Sequence, residues 1–209
     1  MSDIAHPLWI EPWPLVLASA SPSRASMLRA AGIPLDVAPA GIDERAVEAP
    51  LVEAYAPPER IALALAQAKA ERVSLDFPTR IVLGADQVLA VGGQLLTKPD
   101  GIAGARRQLL ALRDREHTLY SAAALAVDGG TVDSFVETAT LTVRAFTEEF
   151  LDRYLASAGA EITASVGAYL IEGEGIHLFE TVQGDHAVIR GLPLLRVIAA
   201  LRKRGMLLE

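Results

Sequence analysis

The sequence predicts a mixed-sheet α/β protein, and two observations carry that expectation. Apolar strand-like runs alternate with helical stretches through the first half of the chain. A long hairpin pattern then sits in the middle, with Thr118–Val127 and Thr131–Val143 flanking Gly129-Gly130. At 209 residues with 51% hydrophobic and 22% charged side chains, the chain can bury one continuous core.

Leu15-Val-Leu-Ala-Ser19 is a short apolar run ending in small residues and reads as a buried strand. Ser21-Pro22 supplies a cap and a first-turn proline for a helix through Ala31, which Gly32 stops. A strand, a small-residue turn and a helix together aim free backbone N–H groups past the strand end, a generic anion seat. Val37–Ile42 is expected as a second strand, with Asp43-Glu44-Arg45 in a charged loop after it. Pro57-Pro58 opens a helix through Val73, with Ile61, Leu65 and Ala68 on one stripe and Lys69 near its buried edge. Arg80–Ala85 is expected as a strand with Asp86 at its carboxyl end, continued by Val88–Val91 beyond it. A helix over Ile102–Leu112 precedes the hairpin. A helix over Thr147–Ala158 follows it, then strands at Gly167–Leu170 and Ile176–Val182 and a last helix at Leu192–Arg204 closing on Gly205. Residues 1–14 read as an N-terminal extension and 15–209 as one domain.

Composition removes several classes of function. Cysteine is absent, which excludes a disulfide framework, a thiolate zinc site and a cysteine nucleophile. A net charge of −7 speaks against a protein that coats nucleic acid. Met1–Pro14 lacks a basic start followed by an apolar run, and Leu192–Leu201 is short and interrupted by Arg196. No secretion signal or membrane span is therefore expected, and the cytoplasm is the expected compartment.

Among 19 basic residues only Lys69, Lys98 and Lys203 are lysine. In so arginine-rich a chain, a lysine marks a place for a compact, movable point charge. Lys203 lies in the basic end of the last helix, where it opposes the helix dipole; Lys69 and Lys98 have no such structural duty. Asp86 at a strand end either caps a turn or, as ligand sites in open α/β sheets do, faces a ligand, where it can hold a metal or accept a proton from water. Glu44 with Asp43 is either a solvated loop or a source of oxygen ligands for magnesium or manganese. Ser19, Ser21 and Arg24 suit phosphate oxygens, or merely cap a surface helix. His6, His117, His177 and His186 make no metal-ligand spacing, and Glu172-Gly-Glu-Gly175 is not a dinucleotide fingerprint.

In sequence and in order, Leu15–Leu28, Gly84-Ala-Asp86-Gln-Val, Thr97-Lys98-Pro99, Gly167–Gly175 and Gly184-Asp185 with Gly191-Leu-Pro193 resemble the Maf family, over nearly the whole chain after Pro14. That family was first named for inhibiting septum formation and comprises nucleoside triphosphate pyrophosphatases. The resemblance implies an elongated mixed α/β fold with two lobes around a central cleft, like that of the inosine triphosphate pyrophosphatases. It implies hydrolysis of a nucleoside triphosphate to the monophosphate and pyrophosphate with a divalent cation, Mg2+ or Mn2+, held by Glu44 and Asp86. Asp86 is then the general base, with Lys69 and Lys98 beside it, and Ser19, Ser21, Ser23, Arg24, Gln87 and Glu172 contacting substrate. A homodimer stays open, since family members are often dimers.

The thymidine- and uridine-triphosphate branch reads Ser-x-Ser-Pro-Arg-Arg, Gly-Ala-Asp-Thr and, further on, a lysine and a glutamine. Here those places hold Ser23, Gln87, Ser165 or a neighbour, and Glu172. Gln87 with Glu172 resembles the branch acting on 7-methyl-GTP, since a carboxylate can accept from guanine N1–H and the exocyclic amine. That branch can carry tryptophan where this chain has Ser23, which cannot stack on a cationic base as an aromatic does; Trp9 or Trp13 could replace it or could simply pack. Two alternatives accompany this reading: a dTTP/UTP pyrophosphatase of the same family, and a non-enzymatic nucleotide-binding regulator of cell division. A phosphohydrolase releasing single phosphates is a further rival.

Overall fold

A computed structural model describes residues 6–209; residues 1–5 of the expected extension lie outside the described part. The described chain runs β1 (Leu15–Leu17), α1 (Pro22–Ala30), β2 (Leu35–Val37), α2 (Glu44–Glu53), α3 (Pro58–Ser74), β3 (Val82–Val91), β4 (Gln94–Leu96) and α4 (Gly101–Leu112). It continues with β5 (Glu116–Val127), β6 (Gly130–Val143), α5 (Glu148–Ala158), two 3-10 turns, β7 (Phe179–Gln183), α6 (His186–Ile189) and α7 (Leu194–Lys203). Among these residues the strands make one seven-stranded sheet ordered β2-β1-β3-β5-β6-β7, with β4 paired to β3. The β2–β1 and β1–β3 pairs are parallel, and β3–β4 and β6–β7 antiparallel. The mixed α/β class is therefore as expected.

The chain divides into two compact units. The first holds the chain up to Asp86, Ser121–Glu137 and Gly191–Glu209; the second holds Gln87–Tyr120 and Thr138–Arg190. Strands β3, β5 and β6 each pass from one unit into the other. In the first unit Val16, Ala18, Val73 and Val82 are buried together, so β1 and β3 pack directly on α3. In the second, Leu89, Leu109, Leu119, Leu141, Leu151 and Tyr154 lie in a larger apolar cluster.

Local chemistry explains the elements that matched. Ser21 caps α1 by accepting from the Arg24 amide, and Pro22 sits in its first turn. Thr147 caps α5 in the same way through the Phe150 amide. The β5–β6 hairpin turns through Asp128 (φ 48°) and Gly129 (φ 83°), two left-handed residues matching the right-handed twist of the strands. The turn is docked on the end of α3, where the Gly129 amide donates to Ser74 Oγ at 2.8 Å. Near the other chain end, Trp9 bridges to Leu207 and is buried, while Trp13 is exposed.

Five expectations are corrected. The second strand is Leu35–Val37, not Val37–Ile42. The loop assigned to Asp43-Glu44-Arg45 is the start of helix α2, capped by Asp43 through the Ala46 amide. No residue of α2 is buried and Pro50 lies inside it, so it lacks the apolar stripe by which a helix is recognised. Asp86 does not end a strand, because β3 is continuous from Val82 to Val91. What ends there is its neighbour: β1 pairs with Val82 and Leu83 and then turns away, while β3 runs on to pair with β4. Gly167–Leu170 is not a strand, and of Ile176–Val182 only the part from Phe179 is. Residues Glu174–Leu178 form a 3-10 turn instead, and the backbone at Gly175 lies so close to Leu170 that an added Cβ would sit 2.4 Å from its carbonyl oxygen.

His117 on β5 is 1% exposed, and its Nε2 lies 2.8 Å from the hydroxyl of Tyr169. Burial pushes its pKa down to about 4 and pushes the Tyr169 phenol up. The unfolded chain takes up a proton near the ordinary histidine value while the native state stays neutral, so stability is full above that value and falls as pH drops toward 4. The expected size is ~3 kcal/mol. Urea unfolding of wild type and His117→Gln from pH 7 to 4 checks it: their free-energy difference should shrink on acidification, and a flat difference would refute it.

Candidate functional site

The first unit holds seven of the residues singled out in the sequence: Ser19, Ser21, Ser23, Arg24, Glu44, Lys69 and Asp86. At the centre, Lys69 Nζ lies 2.5 Å from Asp86 Oδ1 and 2.8 Å from Glu44 Oε1. Lys69 and Asp86 are each 8% exposed, whereas Glu44 is open to solvent. An ammonium that deep needs a partner, and the aspartate supplies it by a charge-assisted hydrogen bond.

The backbone explains why these two meet. Side chains alternate along a strand, so Gly84 and Asp86 share one face of β3. A Cβ on Gly84 would sit 2.2 Å from Ala66 O and 2.7 Å from Ala70 N, both on α3. Only a glycine lets β3 approach that helix, and Lys69 lies between those two contact residues. The close approach brings the carboxylate of Asp86 onto the lysine of α3.

Arg24 secures the neighbouring turn. Its Nε donates to Gly191 O at 2.8 Å, and its Nη1 donates to Ala85 O at 3.0 Å and Ser19 Oγ at 3.1 Å. One guanidinium therefore joins the end of β1, the residue before Asp86 and the segment leading into α7. Burial lowers the Arg24 pKa, opposed by the charges of Asp86 and Glu44. Ser19 Oγ also accepts from the Ser21 amide. Ser23 lies on the first turn of α1 and receives the Ser26 hydroxyl at its carbonyl.

Gln87, Lys98 and Glu172 belong to the second unit. Gln87 donates its side-chain amide to Val188 O at 3.0 Å and to Ile189 O at 3.1 Å. Glu172 is exposed beside the Gly175 turn, and its Oε1 lies 3.2 Å from Arg190 Nε. Lys98 is exposed in the segment between β4 and α4. Sequence reasoning missed the packing role of Gly84, quoted there only within a motif, and missed Arg190 altogether. The backbone at Gly84 carries no side-chain signal at all, and Arg190 is one arginine among many until the fold sets it against Glu172.

The donors can be tested against a divalent cation. Two carboxylate oxygens converge on one ammonium, so they sit within the sum of those two short distances of each other. Magnesium and manganese take hard oxygens and use one or two carboxylates, completed by water and substrate phosphate. Among the described residues no group of three or more His, Cys, Asp or Glu side chains converges as a ready-made cage. The two carboxylates match the donor chemistry of an open cation seat and not of a closed structural site, with the Lys69 ammonium standing between them here.

The model of the Maf family, described as Maf-like protein, matches residues 14–204. The chain belongs to the Maf family. Among its Maf relatives, a protein of Mesorhizobium japonicum named 7-methyl-GTP pyrophosphatase is 50% identical over 191 residues, 91% of this chain and 96% of that one. One of Nitrobacter hamburgensis, named nucleoside triphosphate pyrophosphatase, is 46% identical over 200 residues, 96% and 98% of the two chains. A Brucella abortus protein named 7-methyl-GTP pyrophosphatase is 48% identical over 189 residues, 90% and 95%.

The close approach at Gly84 yields a test. Gly84→Ala should lower the unfolding free energy by ~1–3 kcal/mol, since β3 or α3 must move to admit a methyl group. Urea denaturation measures it. A loss below about 0.5 kcal/mol, within the range of ordinary surface changes, would show that the contact yields freely.

Proposed function

We propose that this chain hydrolyses a nucleoside triphosphate to the monophosphate and pyrophosphate, with 7-methyl-GTP or a related guanine nucleotide as substrate and the cytoplasm as its place of work. The observation that carries the chemistry is the buried Lys69–Asp86 pair with Glu44 beside it, on the turn that Ser19 and Arg24 hold in place. Relatives named for this activity at 46–50% identity over nearly the whole chain support it.

In this reading Asp86 is the general base. It orients a water molecule and takes its proton as the water oxygen attacks the α-phosphorus. The bond from that phosphorus to the α–β bridging oxygen breaks, and the electron pair leaves with pyrophosphate. Charge builds on the departing oxygens, and Lys69 and Lys98 stabilise it as point charges. Arg24 has Nε and Nη1 spent on protein oxygens, so its first task is to hold the turn, and its positive charge acts on the phosphates from there. Ser19, Ser21 and Ser23 offer hydroxyl and amide donors to phosphate oxygens. Glu44 and Asp86 would hold a Mg2+ or Mn2+ ion, which when bound neutralises phosphate charge and polarises the phosphorus. Glu172 reads the base by accepting from guanine N1–H and its exocyclic amine, with Gln87 bracing that side.

Trp9 is committed to the core, and Ser23 cannot stack on a base. Trp13 is exposed and remains the candidate for stacking, so in this reading polar contacts read the base edge. The second relative carries no methyl group in its name, which keeps the broader class of triphosphates in the test.

The experiment incubates purified protein and Mg2+ or Mn2+ with 7-methyl-GTP, GTP, dTTP, UTP and CTP, resolving nucleotides, pyrophosphate and orthophosphate. Monophosphate with pyrophosphate is expected, fastest from the guanine nucleotides. Asp86→Asn should lose ~10²–10⁴-fold in kcat, the usual worth of a general base, while keeping its fold by circular dichroism. Orthophosphate as first product would favour a simple phosphohydrolase. Fast dTTP or UTP turnover would remove the guanine assignment. No turnover by a folded protein would favour a binding regulator.

A further inference from the structure

Two residues of different strands and turns, Gln87 and Glu172, converge on one short stretch of chain. Gln87 holds the carbonyls of Val188 and Ile189, and Glu172 faces the guanidinium of the next residue, Arg190, at 3.2 Å. All of these residues lie in the second unit. The stretch is the end of α6, which Asp185 opens by capping the Ala187 amide, and Arg190 is its C-terminal cap. Arg190 is therefore held by local helix geometry, and its side chain is three-quarters covered, whereas that of Glu172 is 40% exposed.

We infer that Arg190 sets the charge at the base-reading carboxylate and thereby sets how strongly the enzyme prefers an N7-methylated guanine to guanine itself. The inference rests on the proposed reading of Glu172 as base reader. A carboxylate has about four acceptor positions, so a guanidinium can engage one oxygen and leave capacity for a base edge. The two guanine substrates present nearly the same Watson–Crick edge and differ in charge, because methylation at N7 makes the ring cationic. A lone carboxylate favours the cationic ring. A carboxylate paired with Arg190 is close to neutral as a unit and favours it less, since attraction to one partner is opposed by repulsion from the other. The hydrogen bonds from N1–H and the amine survive in both cases. Arg190 thus broadens the enzyme toward unmethylated guanine nucleotides without removing recognition of guanine.

The test measures kcat/KM for 7-methyl-GTP and for GTP and takes their ratio in wild type, Arg190→Gln, Arg190→Met, Arg190→Lys and Glu172→Gln. Arg190→Gln should raise the ratio by about fivefold, the scale of one partly exposed charge pair. Arg190→Lys keeps the charge and should leave the ratio near wild type, which a purely structural role for Arg190 would not produce. Glu172→Gln should lower the ratio, and Arg190→Met, which keeps the apolar stem and drops the charge, keeps the question decidable if Arg190→Gln does not fold. Arg190→Met should raise the ratio as Arg190→Gln does, and a ratio it leaves unchanged overturns the inference. A ratio unchanged in Arg190→Gln, with Glu172→Gln lowering it, overturns the role of Arg190 alone. A ratio unmoved by Glu172→Gln removes the base reader and this inference with it. Absence of hydrolysis by wild type removes the proposed activity on which both depend.

Discussion

A buried ammonium against a buried carboxylate is the constraint on which the rest of the site depends. Lys69 and Asp86 are each almost wholly removed from water, and each answers the other's charge. Taking Lys69 away would leave a buried carboxylate unpaired, a loss of about 3–5 kcal/mol in comparable buried pairs, whereas without Asp86 the ammonium still has Glu44 on its solvent side. The pair forms because α3 and β3 touch backbone to backbone at Gly84. Glu44 then joins from the solvent side, at the first turn of α2, so the ammonium is shared between a fixed acid and an exposed one.

The arginine at this site has a different task from the lysine. Arg24 spends its fork on the Ser19 hydroxyl and on the carbonyls of Ala85 and Gly191. Planar and multidentate, it can tie three separated pieces of chain together, which a point charge cannot. Lys69 answers two carboxylates at once through a single compact ammonium. The sequence's economy with lysine has a structural reading here, for Lys69 stands where compactness matters, and Lys203 ends the last helix as expected.

The second unit handles its polar groups differently. Gln87 is stitched to the backbone of α6, and Glu172 leans on Arg190. Glu172 owes its position at the surface to a tight reversal, in which the Gly173 amide donates to Leu170 O and Gly175 lies against the same carbonyl. Such a reversal explains why a stretch with strand-like composition, Gly167–Leu170, is not a strand: the glycines that follow it, Gly173 and Gly175, serve a loop closure and not a ladder.

The amino-acid sequence by itself determined what local chemistry and pattern decide: the capped start of α1 at Ser21-Pro22, the proline-led α3, the glycine turn of the β5–β6 hairpin, and the family to which the motifs belong. It also marked Ser19, Arg24, Glu44, Lys69 and Asp86, through their local positions, the scarcity of lysine and the order of the family motifs. Tertiary structure alone decided three things. Helix α2 has no buried face and so no period to read; it lies against α3, where its Glu44 meets Lys69. Asp86 sits within a continuous β3, because it is the neighbouring β1 that ends, and a strand's sequence does not say where its partner stops. The pairing of Arg190 with Glu172 joins residues 18 positions apart by number, through a reversal and a helix end that no spacing rule connects. Local hydrogen-bonding and periodicity are written residue by residue, whereas contacts between distant segments arise only once backbones have packed.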